Sequence, residues 1–139
     1  MKKKGVSDSP STYESNNNNT SILALDDELD IVTLIEKSLQ KYGLRVSIFI
    51  DPYVALEHFK SNFKDYNIVI SDIRMPAMNG YEFVKKVKSI KPQVKIILIS
   101  AFNIKDNEFL NVLPNIKIDA FIQKPFSIST LRNTVIHKV

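Results

Sequence analysis

Asp26 and Asp27 stand side by side directly after the apolar run Ser21–Leu25, and Asp72 stands directly after Asn67–Ser71. Ser100 closes a third such run, Val94–Ser100, and Lys124 follows a fourth, Ile118–Ile122. Each of these polar side chains sits where a short hydrophobic segment stops. Three carboxylates drawn together would raise one another's pKa values and oppose folding unless a cation lay among them. An all-oxygen ligand set without His or Cys suits Mg²⁺, or Mn²⁺ in its place. A carboxylate beside such an ion can attack phosphorus, with the Lys124 ammonium meeting a phosphoryl oxygen and the Ser100 hydroxyl adding a hydrogen bond.

That chemistry needs a scaffold in which the runs end side by side, and the segments between them supply one. After Ser21–Leu25, residues 28–42 place Ile31, Val32, Ile35 and Leu39 at helical spacing. Leu44–Ile50 is β-branched and aromatic; Asp51 then reads as an N-cap, Pro52 as the first helical residue, and Ala55, Leu56 and Phe59 as the buried stripe. Asn67–Ser71 is the third strand, and Phe83, Val84, Val87 and Ile90 mark a helix that stops before Pro92. Val94–Ser100 is the fourth strand, 103–113 a weakly periodic helix with Phe109, Leu110 and Leu113, and Ile118–Ile122 the fifth strand. Ser127 caps a last helix carrying Ile128, Leu131 and Val135.

Strict alternation of five strands and five helices predicts a doubly wound α/β fold. It is a (βα)5 three-layer sandwich whose five-stranded parallel sheet has flavodoxin-like order 2-1-3-4-5. In that order strands 1 and 3 are neighbours at the topological switch point, so the carboxylates of Asp26, Asp27 and Asp72 converge where such sheets bind ligands.

Composition excludes several other functions. The chain has 139 residues, 44% of them hydrophobic and 24% charged, which is ordinary for one globular domain. Zero Cys rules out disulfides, thiol catalysis and Cys-based zinc sites. No run approaches the ~20 apolar residues of a membrane span, so a cytoplasmic protein is expected. The net charge of +4 is modest, and Lys85, Lys86, Lys88, Lys91 and Lys95 lie along one helix and its exit without interleaved aromatics. They read as a solvated helix face, and no nucleic-acid partner is expected. Residues 1–20, rich in Ser and Asn with only Val6 and Tyr13 as sizeable apolar groups, read as a disordered tail before a domain at 21–139.

The acidic pair Asp26-Asp27, the loop Asp72-Ile73-Arg74-Met75-Pro76-Ala77-Met78-Asn79-Gly80, Ser100-Ala101 and Lys124-Pro125-Phe126 together resemble the receiver domain of two-component response regulators, over Ser21 to Val139. The resemblance implies that Asp72 accepts a phosphoryl group from a sensor histidine kinase or a histidine phosphotransfer protein. It also implies that Asp27, Asp72 and the backbone carbonyl of Arg74 hold Mg²⁺ with Asp26 assisting, and that Lys124-Pro125 is cis. Ser100 and Phe121 would form the switch pair; Tyr is common at the second position, and Phe121 cannot donate a hydroxyl hydrogen bond.

Such a protein is no enzyme in the ordinary sense but a phosphoacceptor with self-catalysed phosphotransfer and dephosphorylation. It would act stand-alone, as a monomer or weak phosphorylation-dependent dimer. It would present the surface of the 103–113 helix, the fifth strand and the last helix to a downstream effector protein. Two other classes compete. A phosphohydrolase of the haloacid dehalogenase type carries a second Asp two residues after the nucleophile, where this chain has Arg74. A pseudo-receiver without phosphate chemistry has no need of the full set Asp26, Asp27, Asp72, Ser100 and Lys124. Taken singly, Asp26 and Asp27 could also be helix caps, Phe121 core, and Met75 and Met78 packing residues.

Overall fold

In a computed structural model, residues 20–101 and 116–139 are described. The expected tail, apart from Thr20, and the expected helix over 103–113 lie outside the described residues. The strands are β1 (Ser21–Leu25), β2 (Arg45–Phe49), β3 (Ile68–Asp72), β4 (Lys95–Ser100) and β5 (Ala120–Gln123). Among the described residues the α-helices are α1 (Leu29–Gln40), α2 (Pro52–Asn62), α3 (Gly80–Ile90) and α4 (Ile128–Ile136). All strand pairs are parallel, in the order β2-β1-β3-β4-β5, as the alternation predicts.

A parallel sheet covered on both faces needs strands that are apolar throughout, and alternate side chains must serve two different cores. Leu23, Leu25, Val69, Ile96 and Leu98 pack with Ala55, Leu56 and Phe59 of α2 and with Phe83, Val84 and Val87 of α3. Ile22, Ala24, Ile68, Ile70, Ile97 and Ile99 pack on the opposite face with Ile35 and Leu39 of α1 and Leu131 and Val135 of α4. At roughly 1.5–3 kcal/mol for each large apolar side chain buried, these two cores hold the sheet while its carboxyl edge stays polar.

The helix ends follow local chemistry. Asp51 accepts the N–H groups of Tyr53 and Val54 at 2.8 and 3.4 Å ahead of Pro52, and Ser127 accepts that of Thr130 at 3.0 Å. After α1 the chain turns at Gly43, whose φ of 78° is left-handed backbone that favours glycine. Most strand ends shift by a single residue from the sequence expectation, and three further differences have a local cause. α1 ends at Gln40, because Lys41 and Tyr42 enter the turn that Gly43 closes. β5 starts at Ala120, because Asp119 turns its Oδ2 onto the Ile96 N–H at 2.8 Å. A 3-10 turn over Phe63–Asp65, not expected from the apolar pattern, leads into β3. Met75 and Met78 are buried packing residues.

Candidate functional site

β1 and β3 are adjacent, with Leu25 opposite Ser71, so the residues that follow them leave the sheet together. Asp26 continues β1 and is fully buried; its backbone N–H still donates to Phe49 O on β2 at 3.2 Å. Asp72 is the last residue of β3 and is 5% exposed, while Asp27 is exposed. One carboxylate oxygen from each of the three lies within 4.8 Å of the others. Lys124, delivered by β5, reaches into the same cluster. Its Nζ is 2.9 Å from Asp26 Oδ2, 3.4 Å from Asp72 Oδ1 and 3.6 Å from Glu28 Oε1. Asp26 also accepts the Glu28 N–H through Oδ1 at 2.8 Å, so it steadies the start of α1 as well. Above them opens a cavity of about 190 Å³ lined by Asp27, Glu28, Asp72, Ile73, Arg74, Ala101 and Lys124.

The electrostatics follow from three acidic groups, Asp26, Asp72 and Glu28, sharing one ammonium. Burial, and then the charge of Asp26, push the Asp72 carboxyl up to about 6 from an ordinary 3.8, against the opposing pull of Lys124. Burial raises Asp26 as well, despite its hydrogen bond with Lys124. For Lys124, burial favours the neutral form, but the hydrogen bond and charge of Asp26, with the charges of Asp72 and Glu28, outweigh it and raise its pKa. A carboxylate oxygen of Asp26 that is buried and accepts no N–H or O–H hydrogen bond beyond this ion pair, set among oxygen donors only, matches the needs of a hard divalent cation.

The fold thus brings Asp26, Asp27, Asp72 and Lys124 to one point, with Arg74 on the cavity wall. Ser100, at the end of β4, is 1% exposed, and its carbonyl accepts the Lys124 backbone N–H at 2.7 Å. Phe121 is half-buried in β5 and packs against the core shared with α2 and α3. The Lys124–Pro125 bond is cis. His58 instead pairs with Tyr66, its Nε2 2.6 Å from the phenol oxygen. Sequence reasoning passed over Glu28, although it extends the acidic run, and gave no role of their own to Ala101 and Gly80, which the motifs contain, or to Ser71 at the strand end. A glycine opening a helix was a usable signal for close backbone approach.

A doubly wound parallel sheet with an acidic cleft at its switch point defines a phosphoryl- or metal-handling α/β class, and comparison narrows it. Residues 22–136 match the model of the response regulator receiver domain, and the chain belongs to that family. Receiver domains are phosphoacceptor signalling domains and not ordinary enzymes; they bind Mg²⁺ at an acidic cluster and work with histidine kinases and downstream effectors. The alkaline phosphatase synthesis transcriptional regulatory protein PhoP of Bacillus subtilis is 33% identical over 110 residues, 78% of this chain and 44% of that protein. The chain spans less than half the length of such curated relatives. Chemotaxis protein CheY4 of Vibrio cholerae superposes with a TM-score of 0.77 at 27% identity, covering 86% of this chain and 98% of that one. The response regulator TrrA of Thermotoga maritima, solved in complex with Mg²⁺–BeF, gives 0.74 at 28% identity over 86% and 99%. No helix among the described residues is long and apolar enough to cross a membrane.

Proposed function

We propose that Asp72 is the phosphoacceptor of this receiver domain and that phosphorylation there switches a protein-binding surface. The observation that carries this reading is the meeting of Asp72 with Asp26, Asp27 and Lys124 at the carboxyl edge of β1, β3 and β5. One Asp72 oxygen attacks phosphorus as the bond to the donor nitrogen or oxygen breaks, and the donor's electron pair leaves with it. Lys124 meets the charge gathering on the phosphoryl oxygens, and Ser100 offers a hydroxyl to the aspartyl phosphate product. Asp27, Asp72 and the Arg74 carbonyl would hold Mg²⁺, or Mn²⁺, with Asp26 assisting; the ion supplies charge neutralisation between the carboxylates and the incoming phosphoryl group. The complex of TrrA with Mg²⁺–BeF supports such a site in this fold.

The donor is a phosphohistidine on a sensor histidine kinase or a histidine phosphotransfer protein. Ser100 and Phe121 form the switch pair, with Phe121 acting through packing alone. The reader is an effector protein that meets β5, α4 and the 103–113 segment that precedes β5 in the chain. The site also hydrolyses its own acyl phosphate. The protein works in the cytoplasm, without nucleic acid, as a monomer or weak phosphorylation-dependent dimer.

Incubation with Mg²⁺ and acetyl phosphate should add one phosphoryl group, lost on hydroxylamine treatment. Asp72→Asn should abolish the addition, and Lys124→Ala should leave some labelling. Wild-type labelling of Asp72→Asn, mapped to Asp26, Asp27 or Ser100, would refute the assignment.

A further inference from the structure

The peptide that joins Asp72 to Ile73 is held on every side by groups that phosphoryl transfer itself does not use. Its N–H donates to Ile99 O on β4 at 3.1 Å. Its carbonyl accepts the hydroxyl of Ser71 at 2.8 Å, and Ser71 is fully buried within β3. The next carbonyl, Ile73 O, accepts the Gly80 N–H at 2.7 Å, which docks the first residue of α3 onto the same stretch of backbone.

Gly80 is there for space. A Cβ on it would stand 2.2 Å from Asp72 O, 2.8 Å from Ile73 Cα and 3.0 Å from Asp72 C. All three are backbone atoms that cannot swing aside, so any larger residue must displace the peptide itself. Among the described glycines, positive φ belongs to Gly43, so backbone conformation does not explain Gly80. Ser71 is equally out of place by packing alone. It is a hydroxyl in a strand whose other residues before Asp72 are Ile68, Val69 and Ile70. A buried hydroxyl needs a partner, and here the partner is the carbonyl of Asp72.

We propose that Ser71 and Gly80 are positioning residues. Together they clamp the Asp72–Ile73 peptide and thereby aim the Asp72 carboxylate and the Arg74 carbonyl at the cavity. The proposal rests on the reading of Asp72 as phosphoacceptor. The plane of that peptide sets ψ of Asp72 and φ of Ile73, so a tilt of it is carried directly to the Asp72 side chain and to the loop that bears Arg74. A misplacement of about 1 Å at a reacting group costs about 100-fold in rate. Losing one hydrogen bond of the clamp loosens the geometry, whereas a methyl at Gly80 shifts it outright.

The test follows labelling of the full chain by acetyl phosphate at saturating Mg²⁺, mapped to Asp72, alongside thermal melting. Ser71→Ala should lower the maximal rate roughly 5–10-fold, with half-saturating acetyl phosphate unchanged, because aim is lost and binding is kept. Ser71→Thr, which keeps the hydroxyl, should recover most of the rate, and Gly80→Ala should lose about 100-fold. Should Gly80→Ala fail to fold, the Ser71 pair decides. Wild-type labelling by Ser71→Ala, or Ser71→Thr as slow as Ser71→Ala, overturns the clamp. A wild-type protein that takes no phosphoryl group at Asp72 sinks the phosphoacceptor reading and the clamp with it. A labelled wild type matched by Ser71→Ala sinks the clamp alone.

Discussion

Replacing Asp72 by Asn should make the metal-free protein more stable. In the native state burial and the charge of Asp26 hold the Asp72 carboxyl near 6, whereas in the unfolded chain it titrates near 3.8. At about 1.4 kcal/mol for each tenfold in proton affinity, ionising it in the fold costs about 3 kcal/mol. The sign follows from proton binding. Between pH 3.8 and about 6 the native state holds the proton more tightly than the unfolded state, so wild-type stability falls as pH rises through that window. The penalty is absent below it and complete above it. The substituted amide keeps the shape and removes the charge; Lys124 retains Asp26 at 2.9 Å and Glu28 at 3.6 Å. Allowing about 1 kcal/mol for burying the new amide, the expected gain at pH 7 is about 2 kcal/mol, or about 8 °C in Tm for a domain of this size. Thermal melts in EDTA at pH 4, 5, 6 and 7 measure it. The variant should be up to about 1 kcal/mol less stable than wild type near pH 4, where the amide cost dominates, and cross over to its full gain by pH 7. A variant less stable than wild type at pH 7, or a difference that ignores pH, would refute the electrostatic account.

Mg²⁺ should stabilise the wild type by about 1.4 kcal/mol at tenfold over its Kd, read as a rise in Tm, and Asp27→Ala should lose that response in the same titration. Lys124→Met leaves the fully buried Asp26 carboxylate without its cation. It should cost about 3–5 kcal/mol at pH 7 and less as pH falls, and denaturant unfolding should show most of the loss restored by adding Asp26→Asn. Phe59→Ala, in the core under α2, should cost about 3–5 kcal/mol by urea unfolding. Asp51→Ala removes the α2 cap and should cost about 1 kcal/mol in the same assay.

The sheet order was legible because apolar runs of strand length alternate with helical periodicity, and each of the five observed strands overlaps its expected run. The acidic cluster was legible because its members share one position type, the end of such a run; topology then forces Asp26, Asp27 and Asp72 together. What stayed hidden is what local pattern does not encode. The start of β5 is set by Asp119 reaching β4, a long-range hydrogen bond without a periodic signature. The 3-10 turn after α2 likewise leaves no apolar pattern of its own. Glu28 reads as one more charge at a helix start, and only the arrival of Lys124 at 3.6 Å gives it a place in the site.

Asp72 and Lys124 pull stability in opposite directions from the same few ångströms, and that opposition follows from their burial. An ammonium among three acidic partners is worth keeping because one of them, Asp26, has no exposed surface and cannot be hydrated. A second buried carboxylate, Asp72, placed beside that pair gains only a share of a cation already engaged at 2.9 Å, at 3.4 Å itself, so its burial is undercompensated. Two apolar cores on either side of the sheet must therefore carry this deficit while the cleft lacks a further cation. Any ligand that neutralises Asp72 relieves it, and the binding energy so released is available to the residues nearest Lys124. Its backbone N–H is anchored to Ser100 O at 2.7 Å, so a shift of Lys124 toward a new charge must be taken up between the ends of β4 and β5.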